Sequence, residues 1–312
     1  MYKSHLKRFL AYYNSNGIRS LIYKIYKKIV YRFYKKRLKS LQRYSSDSFI
    51  EKSLSKYPKI ISSEKMIGRT YINLKVSIII FLEGDKQELL RCIDSIIDKS
   101  TYDNYEIIVL GNYEIIDNDF SFGNLNKFNI KMLFYDKCNY SIVLNRTIRE
   151  IKTEYVALLN SNIVIESPDW IEELITCFNF SNTGVAAPLK LSSDASYKQA
   201  YNKSQVSANN LLEVLAVTQG CLMIKSESFL ECNGLNEYLS FKYSIIDLCL
   251  RLREKGKIIL YQPNIIVIGQ DDSRDEETVD LLDRALFWNS WEDRVEFRSF
   301  SIQNNLFIGE TL

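Results

Sequence analysis

The chain has 312 residues, 46% of them hydrophobic and 25% charged, enough for one large core or two small ones and ordinary for a soluble globular protein. No apolar run approaches the roughly 20 residues a membrane-crossing helix needs, and no apolar stretch with a small-residue cleavage site opens the sequence, so export by a signal peptide is not expected. The one histidine, His5, lies in the leader, which excludes a Ser-His-Asp triad, a His-ligated zinc and a histidine general base from the main body.

The net charge of +3 hides a split. Residues 1–43 carry 13 Lys or Arg and no Asp or Glu, leaving 28 basic and 38 acidic residues in the remainder. This is a basic arm on an acidic body. Cys92, Cys138, Cys177, Cys221, Cys232 and Cys249 are scattered with no C-x-x-C pair, which predicts buried thiols in a reducing compartment rather than disulfides or zinc ligands.

In chain order, Ile18, Leu21, Ile22, Ile25, Ile29, Phe33 and Leu41 recur mostly at steps of three or four, the helical period. Lys24, Lys27, Lys28, Arg32, Lys35, Lys36 and Arg37 fill much of the rest. Such a helix over 18–41 can lay its apolar side among lipid headgroups while its cations face anionic lipid. The alternative is a helix packed on the body or on a partner, with a solvated basic face. A polynucleotide would be repelled by the acidic body, so no nucleic-acid partner is expected.

Residues 44–75 read as a polar connector. Beyond it, Val76–Phe81 is a strand, 88–98 a helix, 106–110 a second strand, 131–134 a third, 141–151 a helix and 155–160 a fourth strand. Continuous apolar strands alternating with amphipathic helices predict a mainly parallel sheet covered on both faces. Ligands of such sheets bind beyond the carboxyl ends of the strands, after Phe81, Leu110 and Asn160. Ser167-Pro168 reads as the cap and first position of a helix over 168–178. A strand over 217–225, a short helix over 227–232 and a helix over 245–255 closed by Gly256 follow. Strands at 257–261 and 265–268 and a last amphipathic helix over 276–288 complete the pattern. The expected divisions are a basic helical segment at 1–45, a connector at 46–75, a main domain at 76–272 and a C-terminal helix and tail at 273–312.

Three stretches of the main domain, in this order, carry a resemblance. VSIII with LLRCIDSI and YDNYEIIV comes first, then SIVLNRTIREIKTEYVALLNSNIVIESPDWIEELI. AVTQGCLMIKSESFLECNGLNE with DLCLRLREKGKIILYQPNIIV comes last. Together they resemble family-2 glycosyltransferases, which move a sugar from a nucleotide diphosphate to an acceptor, over about residues 76–270. The resemblance implies a GT-A-like α/β fold, a mainly parallel sheet flanked by helices, here with a basic N-terminal helix added. It places the nucleotide-sugar pocket at Phe81, Glu83, Gly111, Asn112, Asn160 and Asn162.

The same resemblance implies groups that this chain lacks. The proline expected at the end of the first strand is Phe81, and a polar position beyond it is Gly84. The nucleotide-holding Asp falls on Gly111. The metal-binding Asp-x-Asp falls on Asn160-Ser161-Asn162, and hard divalent cations want charged oxygen ligands. The acidic pair holding the general base falls on Ser244 and Ile245, leaving Asp247 as the catalytic candidate of that motif. The terminal His falls on Gly269 or Gln270. Loss of a general base alone costs roughly 10²- to 10⁴-fold.

The expectation is therefore a family-2-like protein of bacterial surface glycan or glycoprotein assembly, kept as a catalytically degenerate scaffold or partner subunit. The alternative is an active, divergent, metal-independent transferase. No cofactor is expected, with Mg or Mn entering only if the site is rebuilt from other residues such as Asp271 and Asp272. Expected partners are a nucleotide-sugar, an active glycosyltransferase or a second copy, and an anionic membrane surface through 18–41. The expected place is the cytoplasm, peripheral to the inner face of the cell membrane.

Overall fold

The computed structural model describes residues 59–61, 74–82, 85–112, 130–135, 140–192, 211–217, 220–239, 241–269, 286–287 and 290–291. The leader helix over 18–41, Glu83, Gly84, Gln270, Asp271, Asp272 and most of the helix expected over 276–288 lie outside them.

The strands are β1 Lys59–Ile61, β2 Val76–Phe81, β3 Tyr105–Asn112, β4 Ile130–Tyr135, β5 Tyr155–Asn160, β6 Ile163–Ile165, β7 Thr183–Ser192, β8 Leu211–Val214, β9 Cys221–Lys225 and β10 Ile258–Gly269. The helices are α1 Lys86–Lys99, α2 Tyr140–Glu150, α3 Trp170–Thr176, α4 Ser226–Glu231 and α5 Phe241–Glu254. One sheet runs β1-β8-β10-β7-β9-β5-β2-β3-β4, with β6 also paired to β10. The half built from β5, β2, β3 and β4 is parallel throughout. The other half is mixed: β7 and β10 run parallel, while β9 is antiparallel to both β5 and β7. β1, from the connector, adds an antiparallel strand against β8.

Every residue of β2 and β5 is buried, because helices cover both faces. On one face Leu89, Cys92, Ile93 and Ile96 of α1 pack with Trp170, Ile171 and Leu174 of α3. On the other, Leu144 and Ile148 of α2 and Phe229 of α4 meet Ile245, Leu248 and Cys249 of α5. Leu286, Phe287 and Trp291 join this second cluster, so part of the C-terminal region completes the core.

α3 starts later than the sequence predicts. Its cap is Asp169, without a side-chain hydrogen bond, and the Ser167 hydroxyl instead accepts the N–H of Ile266 at 2.8 Å. The strands expected at 257–261 and 265–268 are one strand with a register break between Gln262 and Ile266. The break falls where Gln262 opposes Pro188 of β7, a residue with no N–H to donate to the ladder.

Candidate functional site

Register brings the carboxyl ends of the parallel strands level. Phe81 is paired with Leu110 of β3 and with Asn160 of β5, and β3 continues to Asn112. The Ser161 N–H donates to the Phe81 carbonyl at 2.8 Å, and the Asn160 N–H donates to the Gly220 carbonyl at 2.9 Å. The turn at 161–162 and the start of β9 therefore close this end of the sheet.

Several predicted pocket residues are brought together here, but not all of them by side chain. Phe81 is fully buried, its ring edge-on to Tyr140 at 5.7 Å. Asn160 is 5% exposed and Ser161 1%, while Asn162 is half-buried. Gly111 sits within β3, paired with Phe134. At Phe81 and Gly111 any ligand meets backbone rather than a functional side chain. The thiol of Cys92 donates to the Asn160 carbonyl at 3.8 Å, and burial pushes it up to about 12. Burial raises Cys221 as well, so neither is a thiolate nucleophile. Cys177, Cys232 and Cys249 are also buried free thiols.

The positions of the expected general base are buried. Ser244 has no exposed surface; it accepts from the Ser141 hydroxyl at 3.0 Å and donates to the Asn236 carbonyl at 2.8 Å. Ile245 is 1% exposed and part of the core. Asp247 is 4% exposed. One of its oxygens accepts Arg251 Nε at 2.7 Å and the other Trp291 Nε1 at 2.9 Å. Arg251 in turn donates to the carbonyls of Cys232 and Gly234. Thus the carboxylate binds α5 to the loop after α4 and to the C-terminal region, and both its oxygens are engaged away from solvent.

At the opposite end of the sheet an open groove of about 570 Å³ is lined by Lys75, Glu106, Lys131, Lys152 and Glu154 among others. Its floor is structural. Glu106, 5% exposed, accepts from Lys75 and Lys131 at 3.0 Å each and from the Ser77 hydroxyl at 2.8 Å. One further residue, which the sequence does not single out, belongs to the carboxyl end of the sheet: Lys190, near the end of β7.

Residues 76–219, just under half of the chain, match the family model described as glycosyl transferase family 2. Protein y4gI of Sinorhizobium fredii is 27% identical over 213 residues, spanning 60% of this chain and 23% of that protein. The O-antigen biosynthesis protein RfbC of Myxococcus xanthus is 20% identical over 245 residues, spanning 70% of this chain and 19% of that one. The chain therefore matches about a quarter or less of each relative's length.

Two solved structures share the fold. GalNAc-T7 with UDP, GalNAc and Mn²⁺ has a TM-score of 0.57 at 13% identity, covering 72% of this chain and 49% of its own. The mannosyltransferase PcManGT of Pyrobaculum calidifontis, in complex with GDP-Man and Mn²⁺, has 0.51 at 12%, covering 82% and 68%.

The described residues at the end of β5 do not fit such an ion. Asn160, Ser161 and Asn162 offer neutral oxygens where a dication needs charge. Among the described residues no group of three His, Cys, Asp or Glu could hold a metal.

Proposed function

We propose that this chain, which has the GT-A fold and matches the glycosyl transferase family 2 model over residues 76–219, is a member of that family that binds a nucleotide-sugar without a divalent metal and does not transfer the sugar. One observation carries the second half. Asp247, the only carboxylate left of the general-base motif, has both oxygens held by Arg251 and Trp291 and is 4% exposed. A base must come within hydrogen-bond reach of the hydroxyl it deprotonates, and Asp247 is committed elsewhere. Ser244 and Ile245 cannot take its place, the first being engaged and the second a hydrocarbon.

The donor half is supported by the level carboxyl ends of β2, β3 and β5, where α/β sheets bind ligands. RfbC, by name an O-antigen biosynthesis protein, favours surface polysaccharide assembly as the setting. In that setting a non-transferring copy acts as partner to an active transferase or to a second copy of itself. The basic arm of 1–43 holds it to an anionic membrane face.

The test is incubation of the purified full chain with UDP-, GDP- and dTDP-sugars, with and without Mn²⁺, following nucleotide release and sugar incorporation into lipid-linked or polysaccharide acceptors. The expected result is nucleotide-sugar binding in EDTA and no turnover. Sugar transfer would reject the non-catalytic reading and restore a divergent, metal-independent enzyme.

A further inference from the structure

β4 ends the sheet, and we propose that this edge pairs with the same strand of a second copy of the chain, across a two-fold axis at Leu133. The pairing goes beyond nucleotide-sugar binding and does not depend on it.

A sheet edge is a row of unpaired N–H and C=O groups, and monomers guard it with charge, proline, a bulge, short length or a covering element. β4 has few such guards. Its sequence, IKMLFY, has no proline and one charge, Lys131. It runs in unbroken register along β3 for six residues, so no bulge turns it away. Among the described residues no backbone hydrogen bond reaches it from any element but β3. The opposite edge, β1, is only three residues long.

The side chains mark the same edge. Ile130 and Met132 pack on the α1 face, so strand alternation puts Phe134 on that face and Lys131 and Leu133 on the other. Leu133 and Phe134 are each 40% exposed, Phe134 even with its own contacts made. Of the four exposed large apolar side chains among the described residues, two thus stand side by side here. Apolar surface flanks the edge on both faces.

Charge selects the occupant. Lys131 lies 3.0 Å from the buried Glu106 carboxylate, so the strand offers no net charge to lipid headgroups, a polynucleotide or an acidic peptide. A neutral apolar edge matches another of its kind, and a copy supplies it by symmetry. A two-fold axis normal to the sheet runs the copies antiparallel and sets residues of the same face opposite each other. For a six-residue strand, only axes at Met132 or Leu133 keep five residues paired. With the axis at Met132, Leu133 meets Lys131 of the partner subunit. With it at Leu133, Leu133 meets Leu133 of the partner subunit, Phe134 meets Met132 of the partner subunit, and Lys131 meets Tyr135 of the partner subunit. The second register gives both exposed side chains the apolar cross-strand partners that stabilise a sheet. The contact is smaller than a standard interface of about 1,600 Å², so the dimer is weak and forms with concentration.

The experiment is sedimentation equilibrium of the full chain over a wide concentration range, at high salt to screen attraction between basic arm and acidic body. Wild type should rise from the mass of one copy toward that of two. Leu133→Lys and Leu133→Glu should each stay at one, and mixing them should restore the two-copy mass, because the axis sets position 133 against itself. Circular dichroism and thermal unfolding of both variants should match wild type, which separates loss of pairing from loss of fold. Register is read by oxidative cross-linking in a Cys138→Ser background. Opposed residues of antiparallel strands have Cα atoms about 4.5–5.5 Å apart, within disulfide range. Leu133→Cys should therefore give a disulfide dimer. Phe134→Cys alone should not, whereas Phe134→Cys combined with Met132→Cys should.

A wild-type chain that stays single at every concentration would overturn the proposal. So would association undiminished in folded Leu133→Lys, which places the contact elsewhere. Cross-linking of Phe134→Cys alone as strong as that of Leu133→Cys would reject the axis at Leu133 and the proposal with it. A Leu133→Cys thiol that resists alkylation in a single copy would assign the edge to another segment of the same chain.

Discussion

Asp247 shows how much one residue's meaning depends on partners far along the chain. In the sequence it reads as the one acid left of the general-base motif that the resemblance implies. In the fold it accepts from Arg251, four residues on, and from Trp291, forty-four residues on. The Asp247 side chain is 6% exposed and that of Arg251 23%. Removing one member of such a pair leaves the other poorly solvated and costs about 3 kcal/mol or more. Asp247→Ala should therefore shift the urea unfolding midpoint downward by about that energy. Asp247→Asn, which keeps one acceptor for Trp291, should lose less. A midpoint equal to wild type in the alanine variant would show that the lock contributes nothing. The proximity of Trp291 was not legible in the sequence, because no spacing rule links a helix to a segment that docks on it from beyond β10.

At the scale of elements, β2 and β3 are tied by Glu106 as well as by their ladder. Burial pushes this carboxyl up, but hydrogen bonds from Lys131, Lys75 and Ser77 outweigh it and hold it below the ordinary glutamate value. A group whose folded value is depressed contributes stability above its unfolded value and loses it as pH falls through the folded one. Lys75 and Lys131 are about half exposed, so solvent screens the ion pairs and the contribution is modest, about 1 kcal/mol. Glu106→Gln should thus be less stable than wild type at neutral pH. Thermal unfolding curves of the two proteins should converge as pH drops below the ordinary glutamate range. A difference that persists in acid would assign the effect to packing.

The elements themselves were legible where the period was strong. β2, β5, α1 and α2 stand within about two residues of their expected limits, since uninterrupted apolar runs and clear amphipathic faces leave few alternatives. β7, ten residues in the middle of the sheet, was missed. Its TGVAAPLKLS holds a glycine, small alanines and a proline that argue against a central strand, and the fold accommodates Pro188 by breaking the register of β10. Lys190 went unread for the same reason. Ser167 looked like a helix cap and serves the N–H of Ile266, 99 residues away in sequence. The lack of charge at Asn160, Asn162, Ser244 and Ile245 could be read directly, because a residue's type is visible without coordinates.

For the whole molecule the governing fact is the division of charge between a basic arm and an acidic body. Each basic residue near an anionic bilayer contributes about 1 kcal/mol, falling off within a Debye length. With 13 such residues in 1–43, even half of them at the surface would change affinity by about four orders of magnitude. The body, net acidic without the arm, would be repelled by the same lipid. Two measurements follow, both by vesicle co-sedimentation. The full chain should pellet with phosphatidylserine vesicles at low salt and be released near 1 M, where the Debye length shrinks to about 3 Å. The chain lacking 1–43 should remain in the supernatant. Retention of the truncated chain would rule out the arm as the anchor, and equal binding to neutral phosphatidylcholine would replace the electrostatic account with burial of the apolar stripe from Ile18 to Leu41.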